Sequence, residues 1–411
     1  MKPEKNLKPI RPMFIFRLIL KVASAFGMLG SGYKCNKIGM DKLSKNKPAL
    51  YLMNHSAFID LMMASYSIFP RPVNIITTTD AFVGMNLLMR LIGCIPAKKF
   101  ISDTRMVRDI LHAVKKNNTS ILMYPEASYS FDGTATPLPD SIAKCVKLLG
   151  IPVVMIRTYG AFLRDPLYNG LQIRKNVKVS ADFKYLISPE EIESLSESEI
   201  SEIISREFTF DNFRWQQETG LKITAPFRAD GLNRVLYKCP HCMTEGEMVG
   251  KGTTVTCNRC GKIWELTEDG YMKAFEGDTE YSHIPDWYKW ERECVKQELI
   301  EGKYSLDIPV KILMGVNSKS IYDVGVGRLT HSTDGFHLTG CEGKLDFAVK
   351  PTSSYSLYSD YLWYEIGDMI CIGDTKAFYY CFTQVDGDYV AKTRLATEEL
   401  YKLTKQSKIK A

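Results

Sequence analysis

Two Cys-x-x-Cys pairs, separated by 14 residues, constrain this chain more than any other feature of its sequence. They comprise four thiols, Cys239, Cys242, Cys257 and Cys260. Two such turns bring four thiolates to the corners of a tetrahedron, the geometry of closed structural zinc sites. The pattern predicts a zinc ribbon over 236–270, in which the metal supplies folding energy to a module too small for its own core. A redox dithiol or four unrelated thiols are the alternatives, and we interpret His241, inside the first pair, as a bystander.

The other cysteines are scattered singly, mostly in apolar or strand-like surroundings, among 11 in the whole chain. This distribution indicates buried thiols in a reducing compartment. With 411 residues, 45% of them hydrophobic and 24% charged, the chain is long enough for two or three folded domains.

Positive charge is concentrated at the N-terminus. Residues 1–50 hold 11 Lys or Arg against two acidic residues, whereas the whole chain has a net charge of +6. Residues 13–33 are strongly apolar but interrupted by Arg17 and Lys21, and no segment reaches the roughly 20 apolar residues that span a bilayer. We therefore predict, within 1–35, an amphipathic helix that lies on the cytoplasmic face of an anionic membrane, with both cations reaching lipid head groups. A helix packed on the core is the alternative.

Residues 36–235 alternate short apolar runs with helical stretches, such as a helix over 102–117 with Ser102 as its N-cap. This alternation predicts an α/β fold, with helices packed on a mixed sheet whose strands are buried on both faces. His55 and Glu126 fall just beyond the carboxyl ends of predicted strands, where sites in such sheets gather. The predicted strands lie within 47–55, 72–78, 119–126 and 151–158.

The remaining segments differ in character. Residues 188–208 read as one acidic surface helix, 210–235 as irregular chain and 271–303 as a helical connector. Residues 304–411 predict an all-β module of about seven strands, the last within 389–396, closed by a C-terminal helix. That architecture resembles a pleckstrin-homology or GRAM-type module, and a generic β-barrel is the alternative.

The segment NHSAFID places His55 five positions ahead of Asp60. A carboxylate beside an imidazole fixes the tautomer and orientation of the ring, which can then accept a proton from an attacking hydroxyl. The pair is therefore a candidate general base. The alternative is structural, with Asp60 serving as a helix cap.

Four ordered blocks carry a resemblance to a known family. The pair is followed by GCIPAKKF (93–100), YPEASYS (124–130) and the apolar GIPVVMI (150–156). Together they resemble the glycerolipid acyltransferases, which include enzymes that acylate lysophosphatidate and which carry Asn-His-x4-Asp, Gly-x-Ile-x-x-x-Arg and Phe-Pro-Glu-Gly-x-Arg-Ser blocks. The resemblance covers roughly 40–180.

The resemblance implies a membrane-associated enzyme that moves a fatty acyl group from a thioester to a lysolipid hydroxyl. It makes His55 the base and Asp60 its orienting carboxylate, with direct attack and no acyl-enzyme. Acyl-CoA or acyl-carrier protein would be the donor, and no catalytic cofactor is implied. Residues of the family blocks are implied to contact substrate, namely Glu126, Lys98, Lys99 and Ser128. Arg157, after the last predicted strand, is a further candidate, because it would substitute for the cation that the third block lacks. For Arg157, a surface position at a strand end is the alternative.

Departures from the family pattern concern the acceptor. The family Arg of the second block is Lys99, and in the third block Gly and Arg become Ala127 and Tyr129. Lysine keeps the charge but not the planar fork that binds phosphate at two points, and tyrosine removes a cation. We therefore predict an acceptor that lacks a phosphomonoester, such as a lysophospholipid diester or a glycolipid.

Two other functions remain open from the sequence. The first is a non-catalytic protein that binds membrane lipid. The second is a nucleic-acid binder built on the ribbon, but 238–266 holds only four basic residues against three acidic ones, weak footing for binding a phosphate backbone. We therefore expect no nucleic-acid partner.

Overall fold

The computed structural model describes residues 8–101, 103–170, 172–316, 318–385 and 387–409. Its helices are α1 Phe14–Gly27, α2 Ile59–Ile68, α3 Asn86–Leu91, α4 Thr104–Lys115, α5 Ile142–Leu149, α6 Ala161–Arg164, α7 Pro189–Ser194, α8 Glu197–Phe208, α9 Asn212–Thr219, α10 Ile284–Ile300 and α11 Tyr389–Ile409. Its first strands are β1 Lys34–Ile38, β2 Leu50–Met53, β3 Val73–Thr78, β4 Cys94–Ala97, β5 Ser120–Met123, β6 Val153–Tyr159 and β7 Ser180–Ile187. The later strands are β8 Met248–Lys251, β9 Thr254–Cys257, β10 Ile263–Leu266, β11 Met272–Ala274, β12 Leu306–Gly315, β13 Ile321–Ser332, β14 Gly335–Gly340, β15 Leu345–Val349, β16 Tyr358–Trp363, β17 Gly367–Gly373 and β18 Phe378–Thr383.

The first seven strands form one mixed sheet in the order β1-β7-β6-β2-β5-β3-β4. Strands β6, β2, β5, β3 and β4 run parallel, while β7 is antiparallel to β6. The central β2 and β5 are buried throughout, with helices and apolar side chains on both faces. The predicted α/β class and mixed sheet are confirmed. The parallel arrangement brings the carboxyl ends of five neighbouring strands to one edge.

The predicted helix over 102–117 is α4, but its cap is a different residue. The Asp103 carboxylate accepts hydrogen bonds from the backbone N–H groups of Arg105 and Met106, whereas Ser102 lies outside the described residues. The acidic stretch 188–208 was wrongly predicted as one helix, because a second serine capping box at Ser196 starts a new helix.

Helix α1 has two different sides. One side packs against α2, so closely that a Cβ at Gly27 would lie 2.5 Å from the Met62 sulfur. On this side Arg17 donates to the Pro70 carbonyl, and the Lys21 ammonium lies 4.5 Å from the Phe69 ring centroid. The opposite side exposes four apolar residues, Ile15, Ile19, Val22 and Phe26, whereas Phe14 lies on the α2 side, with its ring centroid 5.6 Å from that of Phe69. No helix in the described chain is long and apolar enough to span a membrane.

The four-cysteine region forms its own antiparallel sheet, in the order β11-β10-β9-β8. It packs on α10, the predicted connector helix, where the rings of Trp264 and Trp287 meet at 5.1 Å. The Trp287 indole N–H donates to the Lys238 carbonyl at 3.1 Å, and the Glu291 carboxylate accepts from the Lys238 backbone N–H at 2.9 Å. The ribbon is therefore attached to the connector by polar as well as apolar contacts.

Residues 304–409, hereafter the β-domain, contain seven antiparallel strands in the order β15-β14-β13-β12-β18-β17-β16, followed by α11. The predicted all-β sheet with a closing helix is confirmed at this level, and the pleckstrin-homology or GRAM likeness remains a prediction. The assignment of 389–396 to a strand was wrong. This segment opens α11, where Ala391 and Leu395, four residues apart, are both buried. The seventh strand is β16 instead.

One hydrophobic core joins the later segments to the α/β layer. It runs from Phe131 and Phe162, which lie outside the strands of the first sheet, through the ribbon and α10 into the β-domain and α11. The ribbon and the β-domain therefore share buried side chains with the α/β layer, and a second cluster, which includes Trp363 and Tyr380, lies within the β-domain.

Candidate active site

The loop after β2 is held by buried polar groups. Asn54 bonds through its amide to Thr158 on the neighbouring β6, accepting from the Thr158 N–H at 2.9 Å and donating to its hydroxyl at 3.0 Å. The Asp60 Oδ2, at the start of α2, accepts from the N–H groups of Ser56 and Ala57 at 2.6 and 2.9 Å. These bonds fix the backbone on both sides of His55.

The same Asp60 oxygen lies 3.6 Å from the His55 Nδ1. The structure thus brings the predicted pair together, with Asp60 acting both on the loop backbone and beside the imidazole. The ring of His55 lies between Tyr124 and Tyr129, at 4.2 Å from each ring centroid. Burial lowers the pKa of His55 below its ordinary value, and Asp60 opposes that shift. The imidazole is therefore neutral near pH 7, as a base must be.

Glu126 is turned away from the open space beside His55. One carboxylate oxygen accepts from the His55 backbone N–H at 2.7 Å, and the other accepts from the Thr136 N–H at 2.8 Å. Ser130 in turn donates its N–H to the His55 carbonyl at 3.1 Å. Burial raises the pKa of Glu126 to about 7, although these donors lower it. In this structure Glu126 supports the His55 backbone, and its contact with an acceptor remains a prediction.

Ala127 occupies the glycine position of the third block in a left-handed conformation, with φ at 56°. Its N–H closes a turn onto the Tyr124 carbonyl at 3.0 Å. A side chain at such a φ costs about 1–2 kcal/mol relative to glycine. The backbone at Ala127 thus keeps a conformation that favours glycine.

A cavity of about 660 Å³ lies over the carboxyl edge of the sheet. Its floor includes His55, Tyr124 and Tyr129, and Phe58 and Leu61 at the start of α2 form part of its wall. The β-domain covers the other side with side chains from β16 and neighbouring turns, Ser353, Tyr355, Tyr358, Asp360, Trp363 and Tyr364. Cavities of this size suit ligands of a few hundred daltons.

Lys98 and Lys99 follow β4 and also line the cavity. Lys98 donates to the Thr375 carbonyl of the β-domain. The Lys99 ammonium lies 4.0 Å from the ring centroid of Tyr358, and burial lowers its pKa. Lys99 also contributes to lowering the pKa of His55, and both residues line the same cavity.

Comparison with known proteins gives a family match for part of the chain. Residues 34–158 match the acyltransferase family model. This segment is an acyltransferase domain. In a sequence search no curated protein matches the chain. Among solved structures, the chain is similar to the 1-acyl-sn-glycerophosphate (LPA) acyltransferase PlsC from Thermotoga maritima, at 15% identity and a TM-score of 0.36, over 47% of this chain and 78% of that one. A likeness this distant carries no information on the substrate.

Two predicted substrate residues lie elsewhere in the acyltransferase domain. Ser128 is buried and does not line the cavity. Arg157, within β6, donates to the Glu207 carbonyl at 3.2 Å and lies 3.6 Å from its carboxylate. This ion pair matches the alternative interpretation of Arg157. Contact of either residue with substrate remains a prediction.

Sequence reasoning missed three charged residues near the acyltransferase site. Asp80 follows β3, so the rule that identified His55 and Glu126 could have found it. Asp360 and Arg394 lie in the β-domain, far away in sequence, and no local signal marks them. The buried Arg394 donates to the Tyr129 carbonyl at 3.2 Å. A cation thus lies beside the position where the family arginine is replaced.

The four ribbon cysteines form a candidate metal centre. Their sulfur atoms all lie within 4.8 Å of one another, with Cys239–Cys260 and Cys242–Cys257 separations of 3.8 and 3.7 Å. Four thiolates at about 2.3 Å from a tetrahedral zinc are separated by about 3.8 Å. His241 instead lies 3.4 Å from the Glu280 carboxylate. The sulfur positions fit a four-coordinate metal.

Proposed function

We propose that this protein transfers a fatty acyl group from a thioester donor to the hydroxyl of a lysophospholipid or related glycerolipid. The observation that carries this proposal is the His55–Asp60 pair, which opens onto a cavity between the acyltransferase domain and the β-domain. Glycerolipid chemistry fits a cavity with an apolar wall and a lysine near the base.

His55 acts as the general base. Because its Nδ1 is buried beside Asp60, Nε2 accepts the acceptor's hydroxyl proton as the oxygen attacks the thioester carbonyl. Collapse of the tetrahedral intermediate breaks the carbon–sulfur bond. His55 returns the proton to the departing sulfur, which leaves as a thiol. The Lys99 ammonium supplies positive charge close to the developing oxyanion. The donor is acyl-CoA or acyl-carrier protein.

The acceptor lacks a phosphomonoester. Tyr129 stacks on His55 where the family carries an arginine, and the Arg394 guanidinium is engaged by the Tyr129 carbonyl and by Glu398 at 3.3 Å. Lys99 is then the main cation for an acceptor phosphate, with Lys98 beside it. One phosphodiester charge matches this supply better than the two charges of a monoester.

The ribbon holds a structural zinc. All four ligands are cysteines, so the site has no open position for a substrate or water, and the metal would supply folding energy only. The sulfur separations and the pairing of His241 with Glu280 support this assignment.

The protein lies on one face of a membrane, as a monotopic or peripheral enzyme on the cytoplasmic side. The exposed apolar side of α1 is the contact surface. Burial of apolar surface is favourable by about 25 cal/mol per Å², which favours insertion of this side between lipids. Helix α1 packs on α2, whose first residues line the cavity. An acceptor extracted from the bilayer would thus have a short path to His55.

Replacing the base tests the central proposal. We expect His55→Ala to lower acyl transfer from acyl-CoA to a lysophospholipid by at least about 100-fold, the usual contribution of a general base. His112→Ala, a half-buried histidine at the end of α4, is the matched control and should keep its activity. A wild type that transfers no acyl group but binds lysolipid-containing vesicles would support the non-catalytic lipid-binding alternative.

The pH profile tests how the base is tuned. Only the neutral imidazole accepts a proton, so kcat/KM should fall as pH drops through the pKa of His55, which lies below 6.5. Asp60 raises this pKa and Lys99 lowers it. The acid limb should therefore move to lower pH in Asp60→Asn and to higher pH in Lys99→Met. A shift of the acid limb in the same direction in both variants would contradict these assignments.

Metal analysis tests the ribbon. We expect about one zinc per chain, lost in Cys239→Ser together with a lower melting temperature. Cys341→Ser, a half-buried thiol outside the ribbon, should retain the metal. A folded protein that is purified without metal would refute a structural zinc. A melting temperature that removal of the metal by a chelator leaves unchanged would refute it as well.

Vesicle flotation tests the membrane surface. The protein should float with vesicles of phosphatidylcholine and phosphatidylglycerol, and Ile19→Asp combined with Phe26→Asp should abolish flotation because both residues lie on the exposed side of α1. Val326→Asp, exposed on the β-domain, should float like the wild type. Equal flotation of all three proteins would exclude α1 as the contact.

A further inference from the structure

Strand β16 brings three side chains of the β-domain into the catalytic cavity. Tyr358 and Asp360 are two residues apart and therefore project from the same face of the strand. The pairing of β16 with β17 is irregular between Asp360 and Trp363, and Leu362 has a φ of 55°. This irregularity re-aims Trp363 toward the same cavity, an effect typical of bulges.

Asp80 anchors this strand, and its carboxylate oxygens are occupied by the hydrogen bonds that do so. Its carboxylate accepts from the Tyr358 hydroxyl at 2.8 Å, from the Trp363 indole N–H at 3.3 Å and from the Thr78 hydroxyl. These bonds fix β16 over the acyltransferase domain. They also leave Asp80 little capacity for a ligand.

Asp360 differs from Asp80 in this respect. It lines the cavity, and no side chain in the described part of the molecule donates a hydrogen bond to its carboxylate. Lys99 and Asp360 form no ion pair among the described residues, although Asp360 raises the pKa of Lys99 and Lys99 lowers that of Asp360. The cavity therefore presents one positive and one negative group at separate positions.

Aromatic residues line the same cavity as Asp360. Trp363 meets Tyr364 at 4.7 Å between ring centroids, and both line the cavity with Tyr129, whereas the ring of Tyr358 already contacts the Lys99 ammonium. A carboxylate among aromatic rings is a favourable environment for an ammonium or quaternary ammonium group, because both charge and ring quadrupole attract it.

We infer that the β-domain selects a zwitterionic lysophospholipid, with Asp360 binding its head-group ammonium while Lys99 binds its phosphodiester. This inference rests on the proposed acyltransferase function. The two separated charges of the cavity complement the two charges of an ethanolamine or choline head group. A lysophosphatidate lacks the cation, and Asp360 repels its second negative charge. An anionic lysophosphatidylglycerol offers nothing to Asp360 except hydroxyl hydrogen bonds.

Acceptor competition with the full-length protein tests this assignment. Lysophosphatidylethanolamine, lysophosphatidylcholine, lysophosphatidylglycerol and lysophosphatidate, with the same acyl chain, are supplied at equal concentration with acyl-CoA. We expect kcat/KM to be about tenfold or more higher for the better of the two zwitterionic acceptors than for either anionic one. In Asp360→Asn this preference should disappear, with transfer to lysophosphatidylglycerol retained.

Two further variants separate the roles. Lys99→Met should lower transfer to all the phosphodiester acceptors alike, and Asp346→Asn, an exposed carboxylate of the β-domain paired with His337, should behave as wild type. A wild-type preference for either anionic acceptor overturns the inference, as does an equal loss for all acceptors in a folded Asp360→Asn. The wild-type ratios alone decide the matter if that variant does not fold. Absence of transfer to every acceptor would instead refute the proposed function.

Discussion

Two buried carboxylates determine where the His55 imidazole lies. Glu126 accepts the N–H of His55, and Asp60 accepts those of the two residues that follow. A buried carboxylate without hydrogen-bond donors is destabilising. The N–H groups of this loop therefore stabilise the two carboxylates, and the carboxylates in turn fix the conformation of the loop. The strand order brings them together, because β2 and β5 are parallel neighbours and end at the same edge. The position of His55 thus follows from the hydrogen bonds that the Glu126 and Asp60 carboxylates accept from the loop backbone.

The parts of the fold that could be predicted are those specified locally. The strands at 47–55, 119–126 and 151–158 are short apolar runs between turn signals, and the four thiols share one spacing. Segment 389–396 misled because β-branched and aromatic residues favour strands locally, whereas burial against the sheet and α10 favours a helix. In the site, His55 and Asp60 were identified by spacing. Asp360 and Arg394 could not be, since only the tertiary fold brings them within reach of the sheet edge.

The replaced residues of the family blocks also become intelligible in three dimensions. At Tyr129 the family cation is absent, but the tyrosine ring packs against the ring of His55. Arg394, from α11, donates a hydrogen bond to the Tyr129 carbonyl. Ala127 keeps the backbone conformation of the glycine that it replaces. The local changes are therefore matched by contacts from the β-domain, which is why the shared hydrophobic core matters for the site as well as for stability.

The covering of the cavity by β16 has a consequence for the order in which a working molecule is made. On the ribosome the first sheet, with His55 and both carboxylates, is complete at Ile187, about 170 residues before β16 begins at Tyr358. During that interval the catalytic edge is open to water, and Asp80 has neither its tyrosine nor its tryptophan partner. The cavity is complete only when the β-domain, the last quarter of the chain, has been synthesised and has packed on α10. A truncated or stalled product would thus carry the base without an enclosed place for its substrate.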